Sequence, residues 1–357
     1  MKRLFLISMI LVLVFMTLSS PDLSAYAEEA NGYLLDEVIV KLLRSSDLTD
    51  IASDYALGLT PLNQFGSRPI FRLSILDGAP PPNRAVELAS YPRVVYAEPN
   101  YIGSAPEGVQ RVSWPKGEEG DNYNGQWAGS IIRLTEAHQV TRGAGITVAV
   151  LDTGVDFSHP ALAGRLVTGY DFVDMDSDPS EEGAYEQNTA FGHGTHVAGL
   201  IALVAPEAKI MPLRVLDPDG FGNMWVLAEA LAYALNPDGD ENTNDGADVI
   251  NLSLSADLPT NLLADVVRAA TCNDGVCPAG GSGAVVIAAA GNDASDSLEY
   301  PAAEGIPGLL AVGASTLEDR LASFSNNGSW IHLAAPGENI SSAVPGGGYG
   351  IWSGTSM

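Results

Sequence analysis

Apolar positions along the chain follow two different patterns. Between residues 36 and 101 the apolar runs are short. Residues 37–42 and 70–75 are rich in Val, Ile, Leu and Phe and read as strands, as does 94–96, while the stretches near 47–57 and 83–90 carry helical spacing. The order β-α-β-β-α-β needs only one further weak strand, which predicts a small α+β split-βαβ unit. A stretch rich in Gly, Pro, Asn and Glu follows from about 102 to 130, and 102–140 is expected to hold a linker and the start of the next region. From 146 onward the pattern changes. Continuous apolar runs at 146–151, 209–215, 249–254 and 284–289 alternate with helical stretches at 193–204, 223–235 and 261–271. Strands apolar on both faces and separated by helices require a parallel sheet covered on both sides. The prediction for 141–357 is therefore a doubly wound parallel sheet of the α/β class, whose ligands gather at the carboxyl ends of the strands.

Composition narrows the setting. The 357 residues, 46% of them apolar, supply material for about two domains. A formal charge of −27, from 44 acidic against 17 basic residues, excludes nucleic acid as a partner, because the main attraction to phosphate is reversed. At the N-terminus, Lys2 and Arg3 precede an apolar run from 4 to 18, and Ala25-Tyr26-Ala27 offers a small-residue cleavage site. That three-part arrangement predicts a secretory signal peptide over 1–27, hence a secreted, extracellular protein with no membrane attachment once it is removed. The chain's only cysteines, Cys272 and Cys277, stand five positions apart and, in an oxidising compartment, are expected to close a small turn as a disulfide.

Three short segments carry candidate chemistry. Leu151-Asp152-Thr153-Gly154 sets a carboxylate where the first strand of the large domain ends. Gly192-His193-Gly194-Thr195-His196 sets an imidazole at a helix start; His193 and His196 also have the spacing of metal ligands on one helical face, though no third ligand stands beside them. Gly354-Thr355-Ser356 supplies a hydroxyl. Each alone reads equally as a cap or a turn. Together they match one requirement: a serine hydroxyl is a poor nucleophile until a neutral imidazole takes its proton, and the imidazole needs a carboxylate to fix its tautomer. A fourth segment, Ala288-Ala289-Ala290-Gly291-Asn292, puts an amide at the end of another strand, where it would donate to an oxyanion.

The blocks VAVLDTGVDFSHP, GHGTHVAG, VINLSL, AAAGN and SGTSM occur in an order that resembles the subtilisin-like serine proteases, and they span 146–357. The resemblance implies Asp152, His193 and Ser356 as catalytic triad, Asn292 as oxyanion donor, and protein or peptide substrates held by Ser253, Leu254, Ser255, Ala289 and Gly291. Residues 36–101, with VIVKL and YPRVVYAEPNY, resemble the propeptide of that family, which implies an intramolecular inhibitor removed on maturation. Two departures stand out: Ser255 and Ala256 occupy positions where glycine is common, and Ala161 stands where many members carry a calcium-binding Asp. Calcium is instead expected as a structural ion at Asp174, Asp176 and Asp178 or at Asp238, Asp240, Asn242, Asn244 and Asp245, where oxygen ligands recur at alternate positions. Because family members continue past the serine in a buried helix, the chain is expected to be an incomplete copy, poorly folded and inactive as written. A non-catalytic secreted inhibitor or calcium-binding interaction module is the rival reading, and it leaves the triad and Asn292 without a purpose.

Overall fold

A computed structural model describes residues 32–106, 111–113, 121–240, 242–272 and 283–357. The signal segment 1–27 and Cys277 lie outside the described residues, and with Cys277 the expected disulfide.

The first unit runs β1 (Tyr33–Leu42), α1 (Leu48–Asp54), β2 (Asn63–Gln64), β3 (Ile70–Ser74), α2 (Pro81–Ala89) and β4 (Val94–Ser104). The weak strand needed to complete the split-βαβ order is the two-residue β2. Its sheet is antiparallel in the order β2-β3-β1-β4. Strand alternation gives the sheet two buried faces. Val38, Val40 and Leu42 point into a core of Ile51, Leu73 and Leu88, whereas Ile39 points the other way into the core of the large domain.

Three short helices, α3 (Asp121–Gly125), α4 (Trp127–Ile131) and α5 (Leu134–Ala137), follow a short strand β5 (Arg111–Ser113). The large domain then runs β6 (Thr147–Asp152), β7 (Tyr170–Asp171), α6 (His193–Val204), β8 (Lys209–Arg214), β9 (Phe221–Asn223), α7 (Met224–Leu235), β10 (Val249–Leu252), α8 (Asn261–Ala270), β11 (Val285–Ala289), β12 (Leu309–Ser315), β13 (Leu333–Pro336), β14 (Ile340–Val344) and β15 (Gly348–Trp352). Seven of these strands form one sheet in the order β13-β12-β11-β10-β6-β8-β7. Every pairing in it is parallel, as the apolar strands required. Trp225, Leu231, Leu262 and Val266 of α7 and α8 cover one face against Ile250 and Val286, and Val197 and Ala202 of α6 cover the other against Val150 and Ile210. The chain moves from β6 to β8 on one side and returns to β10 on the other, so the switch of direction opens a crevice beyond the ends of β6 and β10.

The expected linker is more ordered than its composition implied. Strand β4 continues to Ser104 because its last residues pair antiparallel with β9, Ile102 opposite Asn223 and Ser104 opposite Phe221. Tyr123 of α3 is buried and donates its hydroxyl to the Gly199 carbonyl at 2.6 Å, which ties this stretch to α6. Gly and Pro mark a break in periodicity, but long-range pairing decides whether the chain there is free. Among the described residues no helix is long and apolar enough to cross a membrane.

Candidate active site

Asp152 is the last residue of β6 and only 1% exposed. Its Oδ1 accepts the Thr153 N–H at 2.7 Å and the Nδ1–H of His193, also at 2.7 Å. His193 opens α6 after Gly192, whose φ of 91° lies in the left-handed region. Gly194 is required by proximity, since a Cβ there would lie 2.1 Å from the Gly154 carbonyl oxygen. The pairing of Asp152 with His193 therefore depends on a helix start pressed against the loop after β6.

A carboxylate that sequence reasoning missed holds those two loops together. Glu181 accepts the Thr153 hydroxyl at 2.6 Å, the Gly192 N–H at 3.0 Å, and from Thr195 both the hydroxyl at 2.7 Å and the N–H at 3.1 Å. Thr153 in turn accepts the Gly194 N–H at 3.0 Å. Burial pushes the Glu181 carboxyl up to about 7, with the nearby Asp152 acting in the same direction and the Thr153 and Thr195 donors opposing it. In sequence Glu181 is one acid in an acidic loop, and nothing local distinguishes it.

His196 does not join a metal site. Its Nε2 donates to the Ile340 carbonyl at 3.2 Å and its ring stacks on Trp352 at 5.4 Å between centroids. Burial first, and the neighbouring His193 second, bring it down to about 3, so it stays neutral. Trp352 also lies 5.4 Å from the ring of His193. The final residue of β15 thus lies against the imidazole four residues before Ser356.

Ser356 is set by contacts to three strand ends. The Ser253 hydroxyl, just past β10, donates to the Ser356 carbonyl at 3.2 Å, and the Ser356 hydroxyl donates to the Ser253 carbonyl at 3.4 Å. The Gly354 N–H donates to Gly337 at 2.8 Å. Thr355 donates its N–H to Asn292 Oδ1 at 2.9 Å and accepts the Gly291 N–H at 3.1 Å. With its oxygen so used, Asn292 has Nδ2 as its donor end. Asp152, His193, Asn292 and Ser356 thus all sit at the carboxyl edge of one parallel sheet.

The residues expected along the substrate cleft divide. Ser255 pairs in both directions with Ser104 of β4, each N–H donating to the other's carbonyl at 2.9 Å, and the Ala105 N–H donates to the Gly220 carbonyl at 2.9 Å. The end of β4 thus lies as an extra strand between β9 and the segment after β10. A cavity of about 800 Å³ is bordered by residues 101–106 of this tail and by Ser255, Ala256, Asn292 and Glu299. Leu254 and Ala289 instead turn inward and are buried. Farther along, β5 pairs with β15, Ser113 opposite Ile351 and Arg111 opposite Trp352, four residues before Ser356.

The first unit is fixed to the large domain by polar contacts at two helix N-termini. Glu98 accepts the Asn261 N–H at 2.8 Å, the Asn261 side-chain amide at 2.9 Å and the Leu262 N–H at 3.0 Å, all at the start of α8. Asn100 accepts the Trp225 N–H at 3.1 Å in the first turn of α7. Helix N-termini carry unpaired donors and a partial positive charge, so an acceptor is favoured there. Phe65 meets Trp225 edge-on at 5.9 Å, and Lys41 pairs with Asp265.

Of the oxygen ligands expected for calcium, Asp174 alone among the described residues joins a convergent group. It does so with Asp171 and Glu182, whose carboxylate oxygens and its own all lie within 4.8 Å of one another. Arg214 already stands among them, 2.7 Å from Asp171, 2.5 Å from Asp174 and 3.0 Å from Glu182. Asp176 accepts the Asp178 N–H at 2.8 Å, and Asp178 accepts the Ser180 hydroxyl at 2.5 Å. In the second loop Asp238 accepts the Asp240 N–H and the Thr243 hydroxyl, Asp240 accepts from Asn242, and Asn244 and Asp245 are exposed. Those carboxylates close turns of their own loop.

Residues 143–357 match the model of the subtilase family. The chain is 39% identical over 282 residues to the thermophilic serine proteinase of Bacillus sp. (strain AK1), covering 76% of this chain and 61% of that protein. To thermitase of Thermoactinomyces vulgaris it is 36% identical over 242 residues, 65% of this chain and 77% of the other. Among solved structures it is similar to a cold adapted subtilisin-like serine proteinase, with a TM-score of 0.50, 35% identity and coverage of 61% of this chain and 72% of that one. It also shares its fold with fervidolysin from Fervidobacterium pennivorans, at a TM-score of 0.67, 24% identity and coverage of 91% and 53%. The chain thus spans about three-fifths of the first of these relatives, and the family match covers the doubly wound domain that holds Asp152, His193 and Ser356. On the family match and these identities together, the chain belongs to the subtilase family.

Proposed function

We propose that the protein is a secreted serine endopeptidase, made as a precursor in which the first unit inhibits the second. The observation that carries this reading is the buried 2.7 Å pair of His193 Nδ1 and Asp152 Oδ1 at the same sheet edge as Ser356 and Asn292. In the proposed reaction Asp152 holds the Nδ1–H tautomer of His193, leaving Nε2 to take the Ser356 proton as its oxygen attacks a peptide carbonyl. Charge that develops on the carbonyl oxygen meets Asn292 Nδ2 and the Ser356 N–H. His193 passes the proton to the leaving amine, and water then hydrolyses the acyl-enzyme by the same route. Protein or peptide substrates would add as a strand between β9 and the segment 253–256, the place that residues 102–105 take in the precursor. That occupancy supports the internal-inhibitor reading and a cut beyond Ala105, within about 101–125. A structural calcium, if taken up, would be held by Asp171, Asp174 and Glu182 in competition with Arg214.

The test is labelling of the gene product that carries this chain with a fluorophosphonate serine probe, alongside hydrolysis of an unfolded protein. Both should vanish in Ser356→Ala and fall sharply in His193→Ala. Labelling that persists in Ser356→Ala would refute the assignment.

A further inference from the structure

The cavity beside Asn292 has an acidic lining that no part of the reaction above uses. Glu299 is one of its lining residues. The segment after β10 pairs with residue 300, the Ala256 and Tyr300 N–H groups each donating to the other's carbonyl at 2.9 Å, so the neighbouring Glu299 is carried beneath the wall that grips the tail. Its side chain is packed against the turn that presents Asn292: a Cβ on Gly291 would lie 2.8 Å from Glu299 Cγ, and Gly291 has a φ of 91°. Glu299 is 4% exposed, while Asp257 and Asp293 stand exposed and Asp219 also lines the cavity. Among the described residues lining this cavity there is no Lys, Arg or His.

The chain's own tail, Ile102-Gly103-Ser104-Ala105-Pro106, shows the register in which an extended ligand enters, while the lining shows which side chain the cavity favours. Residues 102–105 lie in the cleft with backbone pairing on both sides, and Pro106, the next residue, borders the same cavity as Asn292 and Glu299. A substrate in that register, cut after the residue in the place of Pro106, brings the side chain just before the scissile bond to the acidic lining. We propose that Glu299, with the exposed Asp257 and Asp293, selects peptide bonds that follow a lysine or arginine. The inference rests on the endopeptidase reading above and adds its substrate class.

The physical basis is charge compensation in a poorly solvated pocket. Burial pushes the Glu299 carboxyl up to about 7 against an opposing hydrogen bond from Ser255, and Asp257 and Asp293 add to the rise, so an empty pocket holds this charge at a cost. An ammonium or guanidinium removes that cost and gains a charge-assisted hydrogen bond. An apolar side chain of equal length would leave Glu299 its hydrogen bond with Ser255 but no cation beside it, which penalises that side chain.

The experiment compares kcat/KM for peptides that differ only before the scissile bond: lysine, arginine, and norleucine as the neutral isostere of lysine. Lysine and arginine should exceed norleucine by roughly 30-fold or more, the scale of a buried charge pair. Glu299→Gln should lower that ratio at least about tenfold, and Glu299→Asp should restore part of it, which a merely structural role would not do. If Glu299→Gln fails to fold, as judged by its melting curve, the wild-type ratio and that of Asp293→Asn decide. A wild-type ratio near one, or a ratio unchanged in the folded variants, overturns the proposal while serine labelling leaves the endopeptidase reading standing. Absence of both hydrolysis and labelling at Ser356 overturns that reading, and this proposal with it.

Discussion

Removing the Glu98 carboxylate should loosen the first unit's hold on the large domain. The side chain lies opposite Ile39 on the face of the small sheet that meets α7 and α8, away from that unit's own core. Glu98→Ala deletes three hydrogen bonds, two to backbone N–H groups at the α8 N-terminus and one to the Asn261 amide. A bond to a charged acceptor contributes about 1.5–3 kcal/mol, and a buried donor left unpaired costs about 1–3 kcal/mol. The three share one carboxylate and are not additive, and burial already pushes its pKa up, which marks a desolvation cost that removal recovers. A net loss of about 4 kcal/mol is therefore reasonable, which at about 1.4 kcal/mol per decade is roughly 10³ in affinity. On the inhibitor reading proposed above, the assay adds the separately produced unit, residues 32–106, to the processed protein and reads the inhibition constant from progress curves, for wild type, Glu98→Ala and Glu98→Gln. The Gln form keeps an acceptor oxygen but not the charge and should fall between. An inhibition constant that rises less than tenfold in Glu98→Ala, in a unit that stays folded, would show that apolar contact and strand pairing alone fix the two parts.

On the proposed reaction, Asn292→Ala should lower kcat far more than it raises KM, because its donor would meet charge present only in the transition state; the size, roughly 10²–10³ in kcat, is that measured for the oxyanion donor in subtilisin itself. Glu181 has a folded pKa raised from 4.5 to about 7, so its contribution to stability is full below about 4.5 and is lost as pH rises through about 7. The melting temperature should fall over that window, and the fall should flatten in Glu181→Gln; an equal slope in the two proteins would refute the coupling. Arg214→Ala leaves Asp171, Asp174 and Glu182 without their cation and should cost about 3–5 kcal/mol. Millimolar calcium should restore much of that in the variant and do less for the wild type, as a thermal melt with and without the ion would show.

Chain pattern alone determined the class of this fold. Fully apolar runs separated by helical stretches admit one arrangement, a parallel sheet covered on both faces, and that arrangement puts strand ends together at one edge. The placement of Asp152, His193 and Asn292 at the sheet edge was legible because each follows such a run or opens such a helix, and local geometry then dictates where they lie. What the tertiary structure alone decided involves groups that pair across long stretches of chain with no local signature. Glu181 is an ordinary acid of an acidic loop until Thr153, Gly192 and Thr195 converge on it. Arg214, at the end of an apolar strand, shows its cation role only when β7 brings Asp171 alongside. The end of β4 looked like linker because its composition is that of one, and it becomes strand only because β9 and Ser255 supply pairing partners more than a hundred residues away. Periodicity records which face of an element is apolar; it carries no information on which distant polar group completes a buried site, because that is fixed by register and packing once the chain has folded.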